Sequence, residues 1–540
     1  MNKFIFIRNS GFGAMMLLLL FISTTGQSQI NKQDPNAGLK KFNSAMQLIN
    51  YAYVDTINEA NLVEKAIVEM LKDLDPHSVY ISKKDVKRAN EPLEGNFDGI
   101  GVQFEIIKDS ISVVHAIPGG PSEKLGIMSG DKIVKIDGEV VVGKQITNQF
   151  VLDHLRGKSG TKVNVSIFRR GKKELIDFTI TRDKIPITSI DAAYIIRPGI
   201  GYINLNKFAQ TSMQEFYDAV NQLKSKGMES MILDLRNNSG GYMGTSIELS
   251  DEFLGPGKLI VYTQGRQAQR EDFYSSARGK FEKGKLVIMI NENSASASEI
   301  VSGAIQDWDR GIIVGRRSFG KGLVQRPFQL PDSSQIRLTT ARYYNPSGKS
   351  IQKPYADGID KYYEDFSNRV KHGELVHPDS IKFPDSLKFY TSKKRVVYGG
   401  GGIMPDVFIP WDSIPISDYY MELRRKNVVN TFVGDYVDRF RGKLKGSYPD
   451  FETFEKNFTI DSVFMAGFFA HAEKEGVKMD DKGYAASEKL IKAQIKGLIA
   501  QKLWDMNELY AIINQADAEV LKALEVIQDD AMFEKLKIDL

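Results

Sequence analysis

Cysteine is absent from the 540-residue sequence, which excludes disulfide bonds, thiol nucleophiles and thiolate metal sites. Histidine is scarce, and the six histidines show no HExxH or similar ligand spacing, so we expect neither a metal nor a cofactor. An excess of one charge is also lacking, because 72 basic residues face 68 acidic ones and no basic block stands out. This balance argues against nucleic acid as a partner.

The sequence also lacks an apolar run of the about 20 residues that a membrane-spanning helix needs. The shorter run AMMLLLLFI, at 14–22, follows Lys3 and Arg8 and precedes small and polar residues. This order predicts a signal peptide at residues 1–28, export, and the periplasm as the compartment in a cell with two membranes. An uncleaved N-terminal anchor is the alternative, whereas the absence of cysteine excludes a lipoprotein anchor.

The pattern of apolar residues changes along the chain and predicts a multidomain α/β protein. Helical spacing at 29–94 indicates an N-terminal helical segment, and short alternating runs at 95–182 indicate a mostly β module. From 183 to 410 strands and helices alternate, which favours an α/β core with one packed sheet, and MPDVFIP near its end is typical of an edge strand. Helical spacing returns at 411–540 and indicates packing within a helical domain.

The β module contains FDGIGVQF, in which Gly99 and Gly101 surround Ile100 just before a strand that starts at Val102. Two glycines let consecutive amides turn toward one concavity that suits a carboxylate, and the following edge strand can pair with an extended peptide. A strand bulge or a tight turn without a ligand is the alternative. Further on, PSEKLGIMSGDKIVKIDG resembles the PDZ domains of bacterial proteases, which implies that this loop binds the C-terminus of a peptide.

A serine and a lysine stand among small residues between Asn291 and Gln325. Ser296 starts the capping-box pattern S-x-x-E at the head of a predicted helix, so a plain helix cap is one interpretation. A helix N-terminus also offers unpaired amides and partial positive charge to an oxyanion. Ser296 can therefore attack a carbonyl while the amide of Ala297 holds the developing charge.

Lysine is the available base in this stretch, because the stretch contains no histidine. Lys321, between two glycines at the end of a predicted strand, accepts a proton only when neutral, so its pKa must lie well below the ordinary value of about 10.4. Burial against Phe319, Leu323 and Val324 can lower it. Gln325 can orient the amine without stabilising its charge as a carboxylate would. The alternative is a surface lysine in a glycine turn.

Taken together, these motifs resemble the C-terminal processing peptidases, also called tail-specific proteases. SASASE, FGKG and VQ match the family, and the separation of 25 residues between serine and lysine is the family's own. The resemblance implies a crotonase- or Clp-like α/β protease core, with Ser296 as nucleophile, Lys321 as base and Gln325 orienting the lysine. In ILDLRNNSGG, it implies that Gly240 or Gly241 completes the oxyanion hole with Ala297. LDPHSVYI, ARYYNPSGKSIQ and GGGIMPDV also resemble family segments.

Some positions depart from the family pattern. Ser239 stands where proline is usual and Leu323 where a small residue is common, and Arg316 with Arg317 makes the segment before the lysine basic. These arginines are expected either to help keep the lysine neutral or to attract an anionic substrate terminus. Arg156, in LRGKSGT, is expected either to join the PDZ module to the catalytic core or to be a solvated surface arginine.

The expected function is an exported serine endopeptidase that recognises protein C-termini. Its partners are protein and peptide substrates with free C-termini, and the resemblance leaves open a homo-oligomer, a regulatory adaptor and peripheral membrane association. Two other classes remain. The chain can be a PDZ adaptor with an inactive protease-like core, or a hydrolase of small esters and amides whose β module is only structural.

Overall fold

The computed structural model describes residues 34, 36–107, 109–143, 146–381, 383–411 and 416–540. The predicted signal peptide therefore lies outside the described residues. The chain divides into two compact units, Met1–Met70 and Leu71–Leu540. Among the described helices, none combines the length and the apolar character that crossing a bilayer requires.

The first unit is helical where it is described. Helix α1 spans Ala37–Ala52 and helix α2 spans Glu59–Lys72, whose last two residues belong to the second unit. These helices agree with the apolar spacing of the sequence. The second unit starts with a short strand and a helix, which are β1 (Val79–Ile81) and α3 (Lys83–Glu94).

The predicted β module folds as a small sheet with two short helices. Its strands follow the order β3-β4-β5-β7-β8, with β6 on β5, and β2 pairs with β9 where the chain enters and leaves. Along β7 the buried residues alternate with solvent-facing ones, so one face of the strand forms the module's core. The elements are β2 (Asn96–Gly99), β3 (Val102–Ile107), β4 (Ser110–Ala116), α4 (Pro121–Lys124), β5 (Lys132–Ile136), β6 (Glu139–Val140), α5 (Asn148–Leu155), β7 (Lys162–Phe168), β8 (Ile176–Thr181) and β9 (Asp183–Pro186).

The next part of the chain is the predicted α/β core. Its first elements are β10 (Ile190–Arg197), β11 (Ile200–Leu205), α6 (Ser212–Ser225), β12 (Ser230–Asp234), α7 (Met243–Asp251), β13 (Leu259–Gln264), β14 (Glu271–Tyr274), β15 (Leu286–Ile290) and α8 (Ala297–Asp307). They continue with β16 (Ile312–Gly315), β17 (Leu323–Gln329), β18 (Gln335–Tyr344), α9 (Ile359–Lys371), two 3-10 turns (Pro378–Ser380 and Asp385–Leu387), β19 (Lys388–Tyr390), β20 (Val396–Tyr398) and β21 (Val407–Phe408).

A six-stranded sheet in the order β10-β11-β12-β15-β16-β21 carries the core. From β11 to β21 the neighbouring strands are parallel, so the carboxyl ends of β12, β15 and β16 meet at one edge. The strands β12, β15 and β16 are rich in apolar residues and buried on both faces, as parallel strands usually are. Strand β21, from the segment MPDVFIP, lies at the sheet edge as predicted.

The core also contains a second sheet, which has five strands. Its order is β1-β18-β13-β14, and β17 also pairs with β18. The long strand β18 therefore lies between β1 on one edge and β17 on the other, with Ile81 opposite Gln335 and Leu323 opposite Arg342. This pairing brings the segment before β1 close to the segment before β17, although about 240 residues separate them in sequence.

The C-terminal region is helical, as predicted, and packs as two groups. The helices are α10 (Asp418–Arg425), α11 (Val428–Ser447), α12 (Phe451–Asn457), α13 (Ser462–Lys474), α14 (Asp481–Leu503), α15 (Met506–Ile513), α16 (Ala518–Gln528) and α17 (Asp530–Lys535). Helices α10 to α15 share an apolar cluster of their own, whereas α16 and α17 pack on the six-stranded sheet. The last two helices therefore complete the core of the α/β part.

Candidate active site

Three loops meet at the carboxyl edge of the six-stranded sheet and border a cleft of about 420 Å³. The loop after β12 carries Gly240 and Gly241, the loop after β15 carries Ser296, and the loop after β16 carries Lys321. Residues from α3, α7, α8, β17 and β18 complete the lining: Asn90, Leu93, Glu94, Met243, Ile300, Leu323, Val324, Gln325, Pro327, Gln335, Arg337 and Tyr343. The sheet topology thus gathers the residues that the sequence places far apart.

Ser296 is the N-cap of α8 and has a positive φ of 55°. A non-glycine residue in this region is strained by about 1–3 kcal/mol and persists where its surroundings hold it. Here the Ser296 amide donates to Glu299 Oε2 at 2.7 Å, and its carbonyl accepts from the amide of Glu299 at 2.8 Å. The glutamate side of the predicted capping box is therefore present.

The neighbouring serines face away from the cleft. Ser294 and Ser298 are fully buried, and their hydroxyls donate to the carbonyls of Leu235 and Asn238, each at 2.8 Å. Among these three serines, Ser296 is therefore the one that lines the cleft. The geometry thus discriminates between serines that the residue types alone left equivalent.

Lys321 lies in the loop before β17, not at the end of a strand as expected. Its Nζ donates to Gln325 Oε1 at 3.0 Å. Burial lowers the pKa of the Lys321 amine, Asp75 and Glu299 raise it, and Arg337 lowers it further. Within the described part of the chain, no hydrogen bond joins the amine to the Ser296 hydroxyl, a bond that often tightens only when substrate is bound.

The expectation about the two arginines before the lysine is wrong. Both are held in ion pairs with carboxylates: Arg316 with Glu292 and Glu519, and Arg317 with Glu374. Glu374 is shared with Arg369, and neither Arg316 nor Arg317 is among the charges that shift the pKa of Lys321 or among the residues that line the cleft. The cation that acts on the amine is Arg337, from the distant strand β18.

The segment before β1 supports the lysine from the other side, which the residue chemistry alone did not indicate. Gln325 Nε2 donates to the carbonyl of His77. The His77 amide donates to Asp75 Oδ1 at 2.8 Å, and the His77 ring lies 2.7 Å from the Tyr362 hydroxyl. Burial lowers the pKa of His77 to about 4, so the ring is neutral near pH 7. The available signal was the motif LDPHSVYI, which the sequence marks only by family resemblance.

The two glycines of the loop after β12 differ in how their amides are used. Gly240, with φ of 101°, packs so closely that a Cβ on it would lie 2.9 Å from Ser296 Cβ and 3.0 Å from the Ala297 nitrogen. Its amide donates to Asn238 Oδ1 at 2.9 Å. The amides of Gly241 and Ala297, by contrast, make no hydrogen bond to any described residue.

Glu299 links the nucleophile loop to the base loop, a role beyond the capping function that the sequence indicated. Its fully buried carboxylate accepts from the amides of Ser296, Gly320 and Lys321 at 2.7–2.9 Å and from the Ser318 hydroxyl at 2.5 Å. Burial raises the pKa of Glu299 to about 7, although these hydrogen bonds oppose the rise. One side chain therefore fixes the backbone of both catalytic candidates.

The β module has a separate groove of about 240 Å³ between β3 and α5. Its walls are largely apolar: Phe97, Ile100, Gly101, Val102, Gln103, Phe104, Val151, Leu152, Leu155 and Arg156. The amides of Ile100 and Gly101 have no hydrogen-bond partner among the described residues, and Gly101 has φ of 74°. Gly99, in contrast, belongs to β2.

Arg156 joins the module to the helix that precedes it. Its guanidinium pairs with the buried Glu91 of α3 and lies 4.3 Å from the centre of the Phe97 ring. On the same helix, Asn90 accepts from Arg337 at 2.7 Å and lines the cleft. Helix α3 thus lies between the groove and the cleft and contacts both.

Comparisons with known proteins agree with this architecture. The model of peptidase family S41 matches residues 199–364, and that of the PDZ domain matches 99–180. The model of the activating protease CtpB N-terminal domain matches 21–85, and a family of unknown function, DUF8443, matches 419–505. The photosystem II D1 C-terminal processing protease has 25% identity over 70% of this chain and 95% of its own, with a TM-score of 0.36.

Two relatives are similar over most of their length. The carboxy-terminal-processing protease of Bartonella bacilliformis is 35% identical over 63% of this chain and 78% of its own. The carboxy-terminal processing protease CtpA of Bacillus subtilis is 34% identical over 81% of this chain and 93% of its own. With the matched S41 and PDZ regions, this similarity shows that the chain belongs to the carboxy-terminal processing proteases and is a serine-type peptidase with a PDZ domain.

Proposed function

We propose that this peptidase is exported, holds protein C-termini in its PDZ groove and cuts by acyl transfer from Ser296 with Lys321 as the base. The observation that carries the proposal is the environment of Lys321. Its amine is partly buried, its pKa is lowered, and it donates to the neutral Gln325 in the cleft that Ser296 lines. A lysine held in this way can be neutral and orient a lone pair toward a hydroxyl.

The reaction follows from this arrangement. The neutral Lys321 amine accepts the proton of the Ser296 hydroxyl while the Ser296 oxygen bonds to the carbonyl carbon of the scissile peptide. The ammonium then returns a proton to the leaving amine as the C–N bond breaks, which leaves an acyl-enzyme. A water molecule then gives a proton to the Lys321 amine and attacks the ester carbonyl. The Lys321 ammonium returns this proton to the Ser296 oxygen as the ester C–O bond breaks, which releases the new C-terminus and restores the enzyme.

The oxyanion is stabilised by the amides of Ala297 and Gly241. Ala297 is the first residue of α8, where the helix end concentrates unpaired amides. Gly241 is supported over Gly240 because the Gly240 amide already donates to Asn238. Gly240 then has a different role, since its lack of a side chain lets the two loops approach. Removing one such donor typically lowers kcat about 10²–10³-fold.

The groove of the PDZ domain captures the end of a substrate chain. The amides of Ile100 and Gly101 receive the terminal carboxylate, Gly99 permits the approach, and Val102 begins the edge strand on which the tail pairs. The largely apolar walls favour an apolar final side chain. Arg156 transmits the position of the module to α3 through its ion pair with Glu91.

Two substitutions test the dyad. Ser296→Ala and Lys321→Met should each abolish cleavage of a tailed substrate, with circular dichroism and thermal unfolding close to the wild type. Lys321→Met keeps the buried stem and removes only the amine, so its folded state should be at least as stable. Near-full activity of a folded Lys321→Met would overturn the dyad.

A pair of substrates tests the role of the C-terminus. A protein with an apolar C-terminal tail should be cleaved when the tail is free and resist cleavage when its carboxylate is amidated. Binding of the free tail without any cleavage would support the adaptor with an inactive core. Hydrolysis confined to small esters, with no effect of the tail, would support the third class.

Export is tested on the producing cell. The proposal expects the mature N-terminus near residue 29 and the activity in the periplasmic fraction after osmotic shock. The charged start and the apolar run at 14–22 are its support. An intact N-terminus in the membrane fraction would favour the anchored alternative, and activity in the cytoplasm would contradict export.

A further inference from the structure

The three loops that form the cleft each carry a charged residue within two positions of the end of their strand. Arg236 follows β12, Glu292 follows β15 and Arg316 follows β16. The next residues along each loop lead to Gly241, Ser296 and Lys321, which are four or five positions further on. The charged residues therefore lie at the start of the three catalytic loops.

A single carboxylate from the C-terminal region joins two of these charged residues. Glu519, in the first turn of α16, accepts from Arg236 at 2.6 Å through Oε2 and from Arg316 through Oε1. The side chain of Glu519 is 4% exposed, and those of Arg236 and Arg316 are 14% and 3% exposed. The carboxylate is thus enclosed by the two guanidinium groups that it bridges.

The bridge spans the middle loop. Strand β15 lies between β12 and β16, so the outer loops start about two strand spacings, roughly 10 Å, apart. The middle loop is tied to each neighbour directly, through Asn291 with Asn237 on one side and Glu292 with Arg316 on the other. Arg236 also pairs with Asp234 and Asp517, and Arg316 also pairs with Glu292, but among the described residues Glu519 is the carboxylate that both guanidinium groups share.

We propose that Glu519 is a positioning residue for catalysis, which holds the loop of the Gly241 amide in register with the loop of Lys321. The inference rests on the proposed roles of these two residues and of Ser296. It assigns the end of the C-terminal region to the catalytic apparatus, because a residue 198 positions after Lys321 fixes where the base stands. Substrate does not touch Glu519, which acts through the two arginines.

The C-terminal helices α16 and α17, called the tail of this protein below, are expected to stay docked on the sheet without the contacts of Glu519. Helices α16 and α17 pack on the sheet through a buried apolar cluster that includes Val520, Leu524 and Phe533. A second ion pair, between Lys285 and Asp530, joins the tail to the opposite end of β15. Loss of either ion pair should leave the tail docked, but only the loss of Glu519 should disturb the catalytic loops.

The experiment compares Glu519→Gln with the matched control Asp530→Asn in the full-length protein. For Glu519→Gln we expect kcat on a tailed substrate to fall at least 10-fold, with KM and the affinity for a free tail peptide changed less than twofold. Asp530→Asn should keep kcat within twofold. Glu519→Asp, which keeps the charge with a shorter reach, should recover part of the lost kcat and serves as the test if Glu519→Gln does not fold.

Several outcomes would overturn the inference. One is a kcat within twofold of the wild type for the tested variant while Ser296→Ala is inactive, which would leave the proposed function intact. Another is a kcat that returns to the wild-type value at a lower temperature where the variant is fully folded, since that would show a purely structural role. Activity retained by Ser296→Ala would instead contradict the proposed function itself.

Discussion

At the scale of single residues, the activity depends on the proton affinity of Lys321. The amine works as a base only when it is neutral, so kcat/KM should rise as the pH rises through its pKa. Burial places that pKa below the ordinary value, and the charges of Asp75 and Arg337 act on it in opposite directions. These two residues therefore offer a matched pair of substitutions.

Asp75→Asn removes a charge that raises the lysine pKa, so the alkaline rise in kcat/KM should move to lower pH. Arg337→Gln removes a charge that lowers it, so the rise should move to higher pH. Both are measured as pH profiles of kcat/KM on one tailed substrate. Shifts in the same direction, or no shift in either variant, would contradict the assignment of Lys321 as the group that titrates.

Glu299 is the second residue on which the geometry of the cleft depends. In Glu299→Gln one carboxylate oxygen becomes an NH₂ group, which cannot accept from the amides of Ser296 and Lys321. An unsatisfied buried donor costs about 1–3 kcal/mol, so the loops should separate locally. We expect kcat to fall at least 10-fold, measured with a small peptide substrate.

The control for this substitution is Ser318→Ala, which removes one donor to Glu299 and leaves its three amide partners. Its kcat should fall less than that of Glu299→Gln. Equal losses in both variants, in proportion to their loss of thermal stability, would mean that Glu299 serves the stability of the fold and not the position of the dyad.

At the scale of elements, the spacing of apolar residues predicts the helices and strands whose burial repeats along the chain. The mostly β module at 95–182 and the helical region at 411–540 have the predicted type of structure where the chain is described, because periodic burial defines their elements. The position of Lys321 in a loop was not predicted, since glycines break the pattern there. The effect of Arg316 was misjudged because its partner Glu519 lies 203 residues away, and no local pattern indicates such a contact.

Helix α3 is the element that connects the two binding sites. Its Glu91 pairs with Arg156 at the PDZ groove, and its Asn90 bonds Arg337 at the cleft. Glu91→Gln should keep the affinity for a free tail peptide within twofold and lower kcat for a tailed substrate at least fivefold. The peptide affinity is read by fluorescence anisotropy.

The control on the same helix is Asp85→Asn, which breaks an exposed pair with Arg88, can still accept from the Ser82 hydroxyl through its amide oxygen, and should leave both quantities unchanged. A loss of tail affinity in Glu91→Gln with unchanged kcat would place Glu91 in peptide binding alone. That result would contradict a connection between groove and cleft through α3.

At the scale of the whole molecule, the end of the chain is part of the protease core. Helices α16 and α17 contribute Val520, Leu524 and Phe533 to a cluster with residues of β12, β15 and β16, and Phe533 is 1% exposed. The strands under this cluster lead directly into the catalytic loops. Helices α16 and α17 should therefore unfold together with the core, and their undocking should disturb the catalytic loops that border the cleft.

Phe533→Ala should lower the free energy of unfolding by about 3–5 kcal/mol, the usual cost of truncating a buried phenylalanine. Urea unfolding measures this change, with Leu521→Ala on the exposed side of α16 as a control that should cost much less. Hydrogen exchange should then rise in β12 and β15 as well as in the tail, because the three share one apolar cluster. Faster exchange confined to the tail would show that it opens independently, and the catalytic loops would then not depend on it.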